Sequence, residues 1–266
     1  MKDEQLMTFK AMQKEGWGLF APLEVMTTMT AATLVKFAEV NAAHTVLDVG
    51  CGTGVAAITA ASIGAKVSGL DLSPVLIERA RANVIIAGVS ADMQEGDAEA
   101  LPYPDQSFDV VISQFGHMFA PRPAVATAEM LRVLKPGGII AFSTWPPALY
   151  VGQLFDLVRE FFPTPAGVPS PSLWGDPNYV NEQLGSAVDN LVFDQGLRQF
   201  PALTVSHYRQ FIETTIGPVA KLISESQNNS DKLSAFRARL ESLASQYFCD
   251  NCIRQHYLLS RARKKG

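Results

Sequence analysis

Residues 46–54 read VLDVGCGTG, an apolar run ending in three glycines set at alternate positions. A short, nearly continuous Val/Leu burst before a glycine turn predicts a buried parallel strand handing over to a helix. Gly50, Gly52 and Gly54 carry no Cβ, so the backbone is free to turn there and to approach a ligand closely. The dinucleotide fingerprint GxGxxG would need its third glycine at position 55, where the chain has Val55. Asp48 lies inside the strand end, where its carboxylate would repel a pyrophosphate and attract an ammonium. The helix that follows offers unpaired N–H groups, which favour an anion such as a carboxylate. Ammonium plus carboxylate describes an amino-acid end, not a phosphate.

Working outward, short apolar runs alternate with amphipathic segments. TGVAAITAASIG reads as a helix, AKVSGLDL as a strand and SPVLIERARANVIIAG as a helix with Ser73 at its N-cap and Pro74 in its first turn. ADMQEGD and SFDVVIS read as strands. PAVATAEMLRVLKPGG reads as a helix stopped at Pro-Gly-Gly, and GIIAFSTW as a fifth strand. Strict alternation implies right-handed crossovers and a parallel, doubly wound sheet. Beyond Trp145 come an amphipathic helix (PPALYVGQLFDLVREFF), a proline-rich loop and a sixth strand (VDNLVFDQGLRQF). Two long helical stretches and a last strand, HYLLSRARK, follow. The expectation is a Rossmann-like α/β fold with a seven-stranded sheet, mostly parallel with the last strand antiparallel, plus a helical cap. Residues 1–42 form N-terminal helices that belong to the lid, residues 43–145 the cofactor-binding core, and residues 146–266 the rest of the core with substrate-cap insertions.

Ligands of such sheets sit at the C-terminal strand ends. Two further acids fall there. Asp71 ends the second strand, where a carboxylate can accept both hydroxyls of a ribose, and no arginine stands beside it to hold a 2′-phosphate. Asp97 ends the third and can accept from an exocyclic amine such as adenine N6. Three acids at three consecutive strand ends suit one adenosine-bearing amino acid.

At this point VLDVGCGTG, GLDLSP, EGDAEALPYPDQSFDVVIS and EMLRVLKPGG, in this order, resemble the class I S-adenosylmethionine-dependent methyltransferases. More narrowly they resemble the type 11 small-molecule branch related to the quinone C-methyltransferases. SQFGHMFAPRP, WPPALYVGQLFDLV and PSPSLWGDP extend the similarity to one bacterial subgroup and to nearly the whole chain. The resemblance implies S-adenosylmethionine as cofactor and S-adenosylhomocysteine as product. It implies that Gly50, Cys51, Gly52 and Gly54 line the methionine portion, with Asp48 near its amino group. Asp71 would hold the ribose, Leu72 would pack on the adenine, Asp97 and Ala98 would meet the adenine edge, and Gln114 would lie beside the sulfonium. His117 departs from the subgroup, which usually has an apolar residue there.

Methyl transfer is an in-line displacement that needs alignment, water exclusion and, for some acceptors, removal of a proton. His117, in the loop after the fourth strand, is the candidate base or orienting group. Trp17, Phe20, Tyr150 and Trp174 are candidate walls of an apolar acceptor pocket.

The remaining features bound the reading. The chain has 266 residues, 47% hydrophobic and 18% charged, with a net charge of −4, so no basic field draws it to nucleic acid. The loop after the fourth strand, SQFGHMF, is not the Asn/Asp-Pro-Pro-aromatic loop common in base N-methylation, and the terminal RARKK is short. Three cysteines point to a reducing, cytoplasmic setting, and the single CxxC at Cys249 and Cys252, expected near a helix end, is a poor zinc site. No uncharged apolar run long enough to span a membrane is visible. The expected partner is therefore a small methyl acceptor, with no nucleic acid, and with monomer and homodimer both open. A cofactor-binding protein without catalysis, or a methyltransferase acting on a macromolecule, are the alternatives, and a dinucleotide oxidoreductase fails at Val55 and Asp48.

Overall fold

The computed structural model describes residues 3–266. Helix α1 (Asp3–Trp17), a 3-10 turn over Gly18–Leu23 and helix α2 (Glu24–Phe37) precede the sheet. Then come β1 (Thr45–Val49), α3 (Val55–Ser62), β2 (Lys66–Asp71), α4 (Pro74–Ala87), β3 (Ala91–Glu95), β4 (Phe108–Gln114), α5 (Pro123–Val133) and β5 (Leu134–Thr144). The second half comprises α6 (Tyr150–Phe161), α7 (Pro177–Leu184), β6 (Val188–Pro201), α8 (Val205–Thr215), α9 (Gly217–Glu225), α10 (Ser230–Ser245), β7 (Phe248–Cys249) and β8 (Cys252–Lys264).

The sheet order is β3-β2-β1-β4-β5-β8-β6, with the two-residue β7 folded back on β8. This makes eight strands rather than the seven expected, because the CxxC segment FCDNCI closes as a hairpin instead of ending a helix. β1 to β5 pair in parallel; β8 runs antiparallel between β5 and β6. Val46, Leu47 and Val49 of β1 and Val110, Val111 and Ile112 of β4 are fully buried, as central strands covered by helices on both faces must be.

Local chemistry departs from the sequence reading at several points. Ser73 does not cap α4 with its side chain; instead the backbone N–H of Ser73 donates to Asp71 Oδ1 at 2.9 Å. Lys135-Pro136-Gly137-Gly138 does not stop a helix in a loop but opens β5, with an irregular register against β4. The stretch from Val205 to Glu225 is two helices, broken where Gly217 and Pro218 start α9. The proline-rich loop contains a 3-10 turn, Pro171–Gly175, and is followed by α7, capped by Asp176 accepting from Asn178 N.

Taken together, Asp3–Phe37 is long and apolar enough to cross a membrane by length and composition alone. The 3-10 turn with Pro22 inside it divides that stretch. Lys10 is bonded to Asp97 and Glu99, Gln13 to the Phe119 carbonyl, and Lys14 to Glu95, so the first half lies on the sheet's C-terminal edge.

Candidate active site

The order of the strands puts the reversal point between β1 and β4, and the site lies there. The backbone N–H groups of Gly50 and Cys51 both donate to the Leu70 carbonyl, at 2.8 and 3.0 Å, and Gly96 N donates to the Asp71 carbonyl at 2.9 Å. These bonds stitch the ends of β1, β2 and β3 into one rim. Gly50, at φ +67°, faces Gly116 across the reversal point: a Cβ on Gly50 would stand 2.8 Å from the Gly116 Cα. Only two glycines allow the loops after β1 and β4 to approach this closely. Ser113 braces the approach by donating to the Val49 carbonyl at 2.6 Å and accepting from His117 N at 2.9 Å.

A cavity of about 750 Å³ opens from this rim. One end is lined by Gly50, Cys51, Gly52, Asp71, Leu72, Asp97, Ala98 and Gln114, eight of the ten residues expected for the cofactor. Gly52 has φ +55° and nothing within 4 Å of the place a Cβ would take, so the loop leaves an open cradle beside the cavity. Asp71 accepts from Gly52 N at 2.8 Å and from Ser73 N, one bond on each oxygen. A carboxylate has about four acceptor positions, so two remain for a pair of ligand hydroxyls. Burial pushes its carboxyl above the usual range, while the backbone donors pull it back. These features fit the nucleoside and methionine ends of S-adenosylmethionine.

Two expected cofactor residues lie elsewhere. Asp48 is fully buried and does not line the cavity; its Oδ2 accepts from Ala57 N at 3.0 Å, tying β1 to the first turn of α3. Burial raises its carboxyl to about 7, so at neutral pH it carries only part of the negative charge the sequence argument gave it. Gly54 also packs inward, where a Cβ would meet Ala80 at 3.2 Å. Asp97 lines the cavity but is already engaged: Lys10 Nζ lies 2.6 Å from its Oδ2, and its Oδ1 accepts from Glu99 N at 2.9 Å. Gln114 donates to the Thr27 carbonyl at 2.7 Å and to the Thr30 hydroxyl, which fixes α2 over the end of β4.

The other end of the cavity is apolar and aromatic. Trp17 and Phe20 line it as expected, Trp17 with its ring edge-on to Phe119 at 4.6 Å. Tyr150 and Trp174 do not: both are fully enclosed, Tyr150 against Tyr208 and Tyr247, Trp174 against His117, Phe142 and Tyr179. His117 borders the cavity, but its ring is 2% exposed and wedged between Phe142 and Trp174, with no hydrogen-bond partner on either nitrogen. Burial drives the imidazole down to about 3. In this position it packs as a neutral ring. That explains how it can stand where the resembling subgroup has an apolar side chain.

The sequence reading missed Phe115, Trp145, Arg198, Tyr208 and Gln255. Phe115 adopts φ +55° and stacks flat on Trp145 at 4.0 Å, forming a wall beside Gln114. Arg198 and Phe200 alternate with exposed Leu197 and Gln199 along β6, so both point inward. A charged residue on an inward phase is the signal that could have found Arg198.

The profile of the family described as "Methyltransferase domain" matches residues 47–142, the segment that contains the rim. An uncharacterised protein of Mycobacterium tuberculosis is 33% identical over 260 residues, which covers 97% of this chain and 94% of that protein. The 2-methyl-6-phytyl-1,4-hydroquinone methyltransferase of Synechocystis is 44% identical over 102 residues, 38% of this chain and 32% of that one. The chain belongs to the type 11 branch of the class I S-adenosylmethionine-dependent methyltransferases. S-adenosylmethionine is the cofactor of this family. Among solved structures, the YcgJ protein of Bacillus subtilis superposes with a TM-score of 0.60 at 22% identity, covering 90% of this chain and 99% of that one. The [4+2]-cyclase SpnF does so at 0.54 and 21%, covering 90% and 81%. Both show the same fold.

Proposed function

We propose that this protein transfers a methyl group from S-adenosylmethionine to a small, partly apolar acceptor in the cytoplasm. The observation that carries the reading is the continuity of the cavity, which runs from the glycine rim into an aromatic chamber roofed by α1, α6 and α9. Its volume falls in the range of small-molecule sites, and the chamber offers ring faces rather than a basic track. The bound cofactor supplies an electrophilic methyl on a cationic sulfur. The chain supplies the rest: the rim and Asp71 orient the donor, while Trp17, Phe20, Phe119 and Phe155 exclude water from the acceptor. Three free thiols suit a reducing compartment.

No histidine with an accessible nitrogen faces the cavity among the described residues. The reading therefore favours acceptors whose nucleophile ionises readily, such as phenols, hydroquinones and enols, and the hydroquinone substrate of the Synechocystis relative is of that kind. The same absence favours a second reading, a cofactor-binding protein that does not transfer methyl; the structural likeness to a cyclase keeps that reading in play.

Calorimetry with S-adenosylmethionine, S-adenosylhomocysteine and NADH tests the cofactor. Micromolar binding of the sulfur nucleosides is expected; binding of NADH in their place overturns the proposal. Incubation with phenols, quinols and fatty acids, read by mass spectrometry, separates the two readings: methylated product with stoichiometric S-adenosylhomocysteine marks the transferase. Retention on heparin at moderate salt would point instead to a macromolecular acceptor.

A further inference from the structure

Arg198 projects from β6 into the acceptor end of the cavity. Its guanidinium lies over the Trp145 ring at 4.7 Å and within 5.9 Å of the Phe115 centroid, beside the expected transfer position. Nε and Nη2 both donate to Oε1 of Gln255, the residue opposite it on β8. Gln255 is buried and its amide donates in turn to the Tyr208 hydroxyl at 3.1 Å, which also lines the cavity. This chain of partners contains no acid. No carboxylate lies within ion-pair distance of Arg198 among the described residues, and Nη1 has no protein partner there. Of the other cations that line the cavity, Lys10 is neutralised by Asp97 and Glu99 and Lys221 reaches Glu225. Arg159, on the roof helix α6, has no ion pair either, but only Arg198 among the four is laid on the Trp145 and Phe115 rings and held by a buried glutamine among the described residues.

A cation withdrawn from water is costly unless it is paired, and neutral partners such as glutamine and two ring faces offset only part of that cost. Desolvation is severe enough to bring the guanidinium down to about 10. A planar fork of this kind matches a carboxylate in two parallel hydrogen bonds. The sequence around it is built for the placement: Gly196, two residues earlier on the same face, leaves room for the Tyr257 ring, which a Cβ would strike. Tyr257 then packs edge-on to Phe115 and Trp145, the two rings that hold the guanidinium.

We infer that the methyl acceptor is a flat, apolar molecule bearing a carboxylate, and that Arg198 with the Tyr208 hydroxyl binds that carboxylate. The inference rests on the proposal of a small-molecule acceptor and narrows it. The other available source of a carboxylate is the cofactor's own methionine end, so the test must tell the two apart.

The experiment is calorimetry on the full chain saturated with S-adenosylhomocysteine, using 1-hydroxy-2-naphthoate and 1-hydroxy-2-naphthamide as a matched pair. The acid is expected to bind at least tenfold more tightly than the amide. Arg198→Met should erase that preference, and Arg198→Lys should restore part of it, while the affinity for S-adenosylhomocysteine stays within twofold in both. Equal binding of acid and amide to the unmodified protein needs no variant to interpret. It overturns the carboxylate inference and leaves the small-molecule reading standing. A tenfold loss of S-adenosylhomocysteine affinity in Arg198→Met, with or without the acid preference, also overturns it, by assigning the arginine to the cofactor. Failure of both naphthalenes and of neutral quinols to bind sinks the inference together with the small-molecule proposal.

Discussion

At the scale of single residues, the glycine rim separates two kinds of glycine that look alike in sequence. Gly50 is needed by the fold: besides its positive φ, a Cβ there would collide with the Gly116 backbone. Around Gly52 the space is open, and on the proposed reading the cofactor takes it. Gly52→Ala is therefore expected to cost only about 1–2 kcal/mol in urea unfolding, the strain of a left-handed alanine. Its affinity for S-adenosylmethionine should nonetheless fall at least tenfold. Gly50→Ala should lose stability and binding together. Equal stability losses in the two variants would show that the open space beside Gly52 is not the cradle. Asp71→Ala is expected to weaken S-adenosylmethionine at least tenfold, read by the same titration, because it would remove the proposed acceptor for the ribose and would free Gly52 N. The spacing of VLDVGCGTG made the rim legible, and the strand end in GLDLSP made Asp71 so. Asp48 was misjudged because strand-end position says nothing about which way a side chain turns, and its carboxylate turns under α3.

At the scale of elements, the five-strand parallel half was legible because strand-like runs, apolar in β1, β4 and β5 and weaker in ADMQE of β3, alternate strictly with helical segments, whereas the cap was legible only as helices. Nothing local in FCDNCI distinguishes a helix end from a hairpin; the pairing of Phe248 with Ile253 decides it. Aromatic residues in the cap were no easier: Trp174 and Tyr150 have the composition of a pocket wall, yet packing density encloses them. Helix α1 was expected in the lid, and most of the bonds that hold it are ionic, the Gln13 amide to the Phe119 carbonyl apart. Lys10 bridges Asp97 and Glu99, and the latter is also held by Arg122, whose Nε lies 2.8 Å from Oε2. Lys10 is 15% exposed and the Glu99 side chain not at all, so this contact is shielded from salt more than a surface pair. The apolar contribution of α1 is small, with Leu6 and Phe9 its only buried residues. Lys10→Ala should speed amide hydrogen exchange across residues 3–17 by about tenfold or more, with little change in β1 or β4. S-adenosylhomocysteine should restore part of the protection, since Asp97 belongs to both the helix contact and the cavity. Unchanged exchange would mean that the Lys10 bridge does not hold the helix down, leaving that to Leu6, Phe9 and the Gln13 and Lys14 bonds.

At the scale of the whole molecule, two buried titratable groups pull the acid response in opposite directions. His117 is held down to about 3 from 6.5 by burial. Between those values the unfolded chain binds a proton that the folded chain refuses, so its contribution to stability is full above about 6.5 and is lost as the pH falls. Asp48 is held up to about 7 from 3.8, again by burial first. Here the folded chain keeps a proton that the unfolded chain has released, so the contribution is full below 3.8 and is lost as the pH rises through 7. Each group alone gives a slope of about 1.4 kcal/mol per pH unit, and from 3.8 to 6.5 the two slopes oppose each other. The unmodified protein hides both. His117→Phe keeps an apolar ring between Phe142 and Trp174 and removes one slope. Relative to the unmodified protein it should gain about 1.4 kcal/mol for each pH unit from 6.5 toward 4.5. Asp48→Asn retains an oxygen for Ala57 N and removes the other slope; relative to the unmodified protein it should gain as the pH rises from 4.5 toward 6.5. Urea unfolding at three pH values across that window measures both differences. Two variant curves that stay parallel to the parent would mean that neither side chain is held away from its ordinary proton affinity, and the description of His117 as a neutral packed ring would fall with them.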